Sequence, residues 1–242
     1  MSAFVILALT LLSVGASFVQ RVCGFGFGVF IMTMLPYFCP SYGEATTLSG
    51  LLSAAQSLWV LIFLYKYVDW KQLIVISLSF TVFSFFAIQF VAQATDSILK
   101  ILLGIVLILL GLYFLFVSPQ LQVKPTKTLQ VSMGALSGVM GGLFGMHGPP
   151  AVIYFLASSS TKERYMAICQ AYFLLTNIVM TVFRARNGFL TPFVGWGWLA
   201  AAAGLFIGSY LGSKVFNLIS SEKLRKIIYI YMIISGVIAI CW

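Results

Sequence analysis

The chain has 242 residues, of which 61% are hydrophobic and only 8% are charged, and its mean hydropathy is +1.06. A soluble domain carries about 25% charged residues, so this composition excludes a water-soluble globule and predicts a protein that lipid surrounds. The net charge of +9 is distributed over short polar segments, which is typical of membrane-protein loops rather than of a nucleic-acid-binding surface. The four cysteines form no CxxC pair and histidine occurs once, so no metal site and no cofactor are predicted.

The apolar segments follow the same order twice. The first half, residues 1–117, is predicted to contain a long apolar block over 3–38 and then three membrane-spanning helices. A polar linker at 118–127 separates it from the second half, 128–242, which repeats the order with a block over 128–158. The ordinary helices are expected near 45–65, 72–93, 98–117, 164–184, 192–213 and 222–241. The sequence therefore predicts one all-α polytopic membrane domain built from two repeats.

Each long block carries a glycine cluster near its middle. The first contains RVCGFGFGVF at 21–30, and the second contains FGMHGPPAV at 144–152. Glycine permits unusual backbone dihedrals and proline suits the first turn of a restarting helix, so both clusters predict a break in a membrane helix. Irregular backbone at membrane depth is tolerated only where protein or a wet cavity covers it. The N-terminus of a restarted helix would also attract an anion.

The distribution of lysine and arginine distinguishes two topologies. If both blocks pass straight through the membrane, six of these residues fall on one face and seven on the other. If each block is a hairpin, the division is ten against three, which is the asymmetry that the positive-inside rule expects. We therefore predict hairpins, both termini outside, and a second half that is inverted relative to the first. The ten residues are Lys66, Lys71, Lys124, Lys127, Lys162, Arg164, Lys214, Lys223, Arg225 and Lys226, and the three are Lys100, Arg184 and Arg186.

The two long blocks, with GFGFG in the first and GGLFGMHGPP in the second, resemble the TauE/SafE family, also called the toluene-sulfonate uptake permease family. The resemblance covers nearly the whole chain, including its length and its two-half layout. It implies a small membrane transporter of sulfite, organosulfonates or other organic anions. Many members carry more glycines where Met146 and His147 stand in this sequence, and this departure bears on which anion is bound, because these side chains could shape the pocket.

Two ionisable residues near the breaks are candidates for contact with an anion. Arg21 precedes the first glycine cluster within an apolar block, where an arginine usually faces a cavity or a partner. The alternative for Arg21 is a helix-end position from which the side chain reaches the membrane interface. His147 lies at the second break, where it could bind an anion or relay a proton, or could instead cap freed backbone groups.

The other candidates are backbone and amide groups. The break residues are expected to form hairpin tips that face the substrate, although glycine also serves tight helix packing; they are Gly24, Gly26, Gly28, Gly145, Gly148 and Pro149. When the halves are aligned with a shift of 121 positions, Gln56 falls on Asn177 and Ser49 falls on Gln170. Each half would then direct a polar stripe at a shared cavity. The alternative is hydrogen bonding between helices without a ligand.

These features predict a secondary transporter of a small sulfur-containing anion, which would work in the cell membrane by alternating access between the two halves. No acidic residue lies deep in a predicted span, which favours an anionic substrate. An anion channel with the same lining is the main alternative, and an intramembrane enzyme is a weaker one, because no carboxylate pair is available for catalysis. The sequence leaves open the coupling ion, a proton or sodium, and whether the chain forms a homodimer; it predicts no nucleic-acid partner.

Overall fold

The computed structural model describes residues 1–117, 124–215 and 221–241. Within these ranges the secondary structure is helical and contains no strand, as the sequence predicts. Short 3₁₀ turns lie at Leu35–Tyr37 and Tyr65–Tyr67, and Tyr113–Val117 is a π-helical turn. The helices are α1 (Ala3–Cys23), α2 (Phe27–Ile31), α3 (Tyr42–Leu64), α4 (Trp70–Gln93), α5 (Asp96–Leu112), α6 (Lys127–Phe144), α7 (Gly148–Ser158), α8 (Lys162–Arg186), α9 (Pro192–Val215) and α10 (Ser221–Cys241).

The long helices have the length and composition of membrane spans. In the described ranges, six segments are long and apolar enough to cross a bilayer: Ala3–Cys23, Tyr42–Tyr67, Trp70–Gln93, Asp96–Phe116, Lys162–Arg186 and Pro192–Lys214. Many of their large apolar side chains point outward, as a lipid solvent allows. Polar residues define where several helices begin, since Ser41, Asp69 and Thr161 each accept a hydrogen bond from a first-turn backbone amide. The chain is therefore a multi-pass membrane protein.

Both long apolar blocks fold back on themselves. The Ser137 hydroxyl donates a hydrogen bond of 2.8 Å to the carbonyl oxygen of His147, ten residues further along. In a continuous helix these residues would be about 15 Å apart along the axis. In the first block, a Cβ at Gly15 would lie 2.6 Å from the ring of Phe30, which is equally incompatible with an unbroken helix. The predicted hairpins are confirmed: α1 with α2 forms hairpin one, and α6 with α7 forms hairpin two.

Helices of the first half pack against helices of the second half. Helix α1 packs along α9 and α6 packs along α4, while α3 contacts α8 and α5 contacts α10. The α1–α9 and α6–α4 contacts are both close, because glycines at these contacts have no side chain to separate the helices. A Cβ at Gly138 of α6 would lie 2.5 Å from the carbonyl oxygen of Phe80 in α4, and a Cβ at Gly204 of α9 would collide with the carbonyl oxygen of Thr10 in α1. These glycines therefore serve packing within the chain.

Candidate functional site at the hairpin tips

The tips of the two hairpins contact each other in the protein interior. The turn of hairpin one uses Gly24 and Gly26, with φ of 84° and 102°, and the turn of hairpin two uses Gly145, with φ of 67°. These left-handed conformations favour glycine, which explains why the breaks are glycine-rich. Gly28 lies against the backbone of Gly145 so closely that a Cβ at Gly28 would collide with the Gly145 carbonyl oxygen. The breaks thus meet at one point, although Gly28 and Gly145 are 117 residues apart in the sequence.

A small cavity, which we call the tip cavity, lies at this contact. Its volume is about 20 Å³, which is room for roughly one or two water molecules. The cavity is too small for a sulfonate, so any such ligand requires the surrounding elements to move. The residues that line it are Gln20, Gly26, Phe27, Gly28, Val29, Ser53, Gly145, Met146, His147, Gly148 and Phe173.

His147 is the ionisable side chain that lines the tip cavity. It is 4% exposed and immediately precedes α7, whose first turn is Gly148-Pro149-Pro150. Its ring packs edge-on against Phe80 and Phe173, with centroid distances of 5.5 and 5.3 Å. Neither ring nitrogen has a hydrogen-bond partner in the described structure, so the ring does not cap the freed backbone. Because buried polar atoms are normally paired, these nitrogens are available to a ligand or a water molecule.

Ser49 and Gln170 each lie beside a tip glycine. Gln170 donates to the Gly24 carbonyl oxygen at 3.2 Å and accepts from the amide of Gln20 at 2.9 Å. The Ser49 hydroxyl would be 3.7 Å from a Cβ at Gly145 and has no partner. The buried carbonyl oxygen of the Gln20 side chain is also unpartnered. Polar groups with spare hydrogen-bonding capacity therefore lie around both tips.

Gln56 and Asn177 connect helices one layer away from the tips. The Gln56 side-chain oxygen accepts from Ser17 of α1 at 2.7 Å and from Ser209 of α9 at 2.8 Å. The Asn177 amide donates to the Ser53 hydroxyl at 3.1 Å, and Ser53 lines the tip cavity. Each amide keeps one unpartnered buried atom, the nitrogen of Gln56 and the oxygen of Asn177. Both residues thus join helices and retain one free polar atom.

Arg21 lies outside the tip cavity. Its guanidinium donates to the Ser213 hydroxyl at 2.8 Å and borders a surface cavity of about 260 Å³ beside the N-terminus of α8. A second surface cavity of about 360 Å³ shares Lys162 and Met166 with the first and reaches Gly24. We call the two cavities together the vestibule. The tip of hairpin one separates the vestibule from the tip cavity.

The opposite end of α8 is closed. The ring of Phe189 packs directly on Gly43, where a Cβ would collide with it. The backbone amide of Tyr42 donates to Asp96 at 3.0 Å, and Glu44 accepts a hydrogen bond from Thr191. These contacts, which we call the seal, close the protein on the side away from the vestibule.

One buried cation differs from its sequence-based placement. The charge pattern counts Arg184, at the end of the helix predicted over 164–184, among the cations at a membrane face, but its side chain is only 1% exposed. It donates to the carbonyl oxygens of Thr46 at 2.9 Å and Gly141 at 2.8 Å. The sequence contains no local signal for this burial, because the acceptor carbonyls belong to α3 and to the end of α6. Gln20 and Ser53 line the tip cavity, and no sequence motif marks either residue.

The structure thus divides the predicted site residues into groups. The tip cavity is lined by Gly26, Gly28, Gly145, His147 and Gly148; Gly24, Ser49, Pro149 and Gln170 lie at or beside the tips; Gln56 and Asn177 lie one layer away; and Arg21 lies at the vestibule.

Helices that span a membrane, two of them broken, and a polar cavity where the breaks meet define the class of membrane transporters. More specifically, the chain belongs to the sulfite exporter TauE/SafE family, whose model matches residues 9–238. It is therefore a transporter and not an enzyme.

A curated relative is similar to this chain over most of its length. The probable sulfite/organosulfonate exporter TauE of Cupriavidus necator is 26% identical over 225 residues, which cover 90% of this chain and 87% of the relative. No solved structure matches the chain.

Proposed function

We propose that this protein is a secondary transporter that moves a small sulfur-containing anion, sulfite or an organosulfonate, across the cell membrane. The observation that carries the proposal is the tip cavity, where unpartnered polar atoms of His147 and Gln20 lie at the contact between two broken helices. Helix α7 begins at this cavity, and its N-terminus adds a partial positive charge there. The substrate class is that of the Cupriavidus necator relative, a probable sulfite/organosulfonate exporter.

An inverted repeat is the architecture that we propose for the site. The reciprocal contacts of α1 with α9 and of α6 with α4 support it, because a two-fold relation between the halves exchanges these pairs. The equivalent placement of Gln170 beside Gly24 and of Ser49 beside Gly145 supports it at the tips. In such transporters the substrate binds near the bilayer midplane between the repeats.

Alternating access is the mechanism that fits this arrangement. The tip cavity is closed to a sulfonate, the vestibule is wide, and the seal closes the other end. We assign the vestibule to the cytoplasmic face, because Lys162 and Lys214 border or flank it and the positive-inside rule places such loops inside. Both termini would then lie outside. Movement of hairpin one away from Met166 would connect the vestibule to the tip cavity.

A flux assay tests this proposal. The full chain is purified, reconstituted in liposomes and supplied with radiolabelled sulfite or methanesulfonate. A carrier should show saturable uptake. Uptake should accelerate when unlabelled substrate is present inside the liposomes, because a carrier loaded with substrate returns to the outward-facing state faster than an empty one. Protein-free liposomes are the control. Ohmic single-channel currents without counterflow would identify a channel and contradict the proposal. Imposed proton and sodium gradients in the same assay identify the coupling ion, and the solution mass of the purified protein tests the homodimer.

A further inference from the structure

Arg184 is the largest fully buried side chain among the described residues, and the transport scheme above gives it no role. Its guanidinium lies where the C-terminal end of α6 meets α3 and α8. A charged side chain within a membrane segment is costly and usually faces a partner or a cavity. The identity of that partner therefore bears on what the protein binds.

The hydrogen bonds of Arg184 in the described part of the chain all go to backbone carbonyl oxygens. The acceptors are Thr46, Gly141 and Gly142, at 2.9, 2.8 and 3.4 Å. Carbonyl oxygens satisfy the N–H groups but do not cancel a full positive charge. Glu44, a buried acid near the same end of α8, uses its two oxygens for Ser41 and Thr191. Among the described residues, no carboxylate thus makes direct contact with the Arg184 guanidinium, whose hydrogen bonds go to carbonyl oxygens.

Two of these acceptors are at the last turn of α6, beside the tip cavity. The C-terminus of a helix carries a partial negative charge, which would repel an anion in the cavity. Arg184 binds the carbonyl oxygens of Gly141 and Gly142 and so offsets this repulsion. The adjacent N-terminus of α7 attracts an anion, and His147 presents unpartnered nitrogens. The N-terminus of α7 and the Arg184 guanidinium therefore both place positive charge near the cavity.

Arg184 is one layer of side chains away from the cavity. Its Nη1 atom and the Asn177 side-chain oxygen each come within 3.3 Å of the position that a Cβ at Gly50 would occupy. Asn177 in turn donates to Ser53, which lines the cavity. A Cβ at Gly141 would lie 2.9 Å from the Cβ of His147. Where bulk water is excluded, a charge acts strongly on a nearby ion.

We infer that Arg184 is the fixed counter-charge of the tip cavity and makes the site selective for anions, while it holds the end of α6 through its carbonyl bonds. This inference rests on the proposed function, because it assumes that the substrate binds between the hairpin tips. Arg21, half-buried at the vestibule and paired with Ser213, would meet the anion only on its way in.

The test compares the binding of anions of different charge to the purified full chain. The probes are methanesulfonate, a monoanion, and sulfite at alkaline pH, where it is a dianion; binding is measured by calorimetry. The interaction with a fixed charge is proportional to the ligand charge. If Arg184→Gln weakens methanesulfonate binding about tenfold, it should weaken sulfite binding about a hundredfold. Arg184→Lys should recover most of both affinities, and Arg186→Gln, an exposed site on the same helix, is the matched control.

A second variant keeps the inference testable if Arg184→Gln does not fold. Asn177→Asp changes little in shape but puts a carboxylate near Nη1, because Nη1 and the Asn177 side-chain oxygen lie within 3.3 Å of the same Cβ position at Gly50. The guanidinium then stays while a nearby negative charge offsets it. Its melting temperature should not fall, whereas both anions should bind more weakly, sulfite by the larger factor. Unchanged affinities, or equal losses for the two anions, would overturn the inference. Wild-type protein that binds neither anion would instead overturn the proposed function, so the two failures are distinguishable.

Discussion

His147 is a buried polar side chain that, in the proposed site, would serve binding at a cost in stability. Its ring is surrounded by Phe80, Tyr172 and Phe173, and both ring nitrogens lack partners. A buried polar group without a hydrogen bond costs about 1–3 kcal/mol. We expect His147→Phe to keep or raise the melting temperature, because a phenyl ring suits this aromatic surrounding. Sulfite affinity should fall at the same time, because the cavity loses its ionisable group.

The control for this variant is Phe173→Leu, which alters the cavity wall without changing its polarity. Melting temperature and calorimetric affinity are measured on the same preparations. A His147→Phe protein that binds sulfite as tightly as wild type would show that the imidazole does not contact the anion.

Arg21 is expected to act on the rate of entry rather than on affinity. Its guanidinium borders the vestibule and is separated from the tip cavity by hairpin one. A partly exposed charge attracts an incoming anion, and dissolved salt screens this attraction. The screening length is about 8 Å at physiological ionic strength. Arg21→Gln should therefore reduce initial uptake at low salt, and the difference from wild type should shrink as salt is added.

The matched control is Lys100→Gln, which removes a cation that lies over the ring of Tyr37, on a different part of the surface. Initial rates are measured in liposomes in which the vestibule faces the added substrate. A deficit of Arg21→Gln that persists unchanged at high salt would place the guanidinium in direct contact with the bound anion.

The contact between the hairpins depends on one missing methyl group. Gly28 belongs to α2, and a Cβ there would collide with the Gly145 carbonyl oxygen. The obstacle is backbone, which cannot move aside as a flexible side chain would. Overpacking of this kind costs about 1–3 kcal/mol. Gly28→Ala should therefore lower the melting temperature and uptake together, because it separates the tips that form the cavity.

Gly195→Ala provides the opposite control, since no atom lies within 4 Å of a Cβ at this position in α9. Replacement of an unconstrained helical glycine by alanine stabilises by about 0.5–1 kcal/mol. The two alanine variants should thus move the melting temperature in opposite directions. A Gly28→Ala protein as stable and active as wild type would mean that the hairpins are not in contact.

The positions of the helices and of their breaks were largely predictable from the sequence, while the contacts between helices were not. Apolar runs and glycine clusters locate the spans and both breaks, because these features depend on local backbone chemistry. The contact of Gly28 with Gly145, and the burial of Arg184 against Gly141, join residues from different helices. Helix-end arginines usually reach solvent, so the sequence pattern assigns Arg184 to the cations at a membrane face. Such partners follow only from the packing of α6 against α4 and of α3 against α8.

At the scale of the whole molecule, the structure is open at one end and closed at the other. Ser160 is exposed and lines the vestibule, whereas Thr46 is fully buried beside the seal. Hairpin one is the barrier on the open side, and the contact of Phe189 with Gly43 is part of the barrier on the closed side. If the two barriers open in turn, water reaches Ser160 in one state of the protein and Thr46 in the other.

Single cysteines at these positions test that cycle, in a background in which Cys23, Cys39, Cys169 and Cys241 are replaced by alanine. An impermeant thiol reagent should label Ser160→Cys from the cytoplasmic face. It should label Thr46→Cys from the outer face only, and faster when sulfite drives turnover, because only an outward-open state exposes Thr46. In a channel the two barriers are not linked, so substrate would leave both labelling rates unchanged. Labelling of Ser160→Cys from outside would reverse the assigned orientation, and a Thr46→Cys that never reacts during measured uptake would exclude opening at the seal.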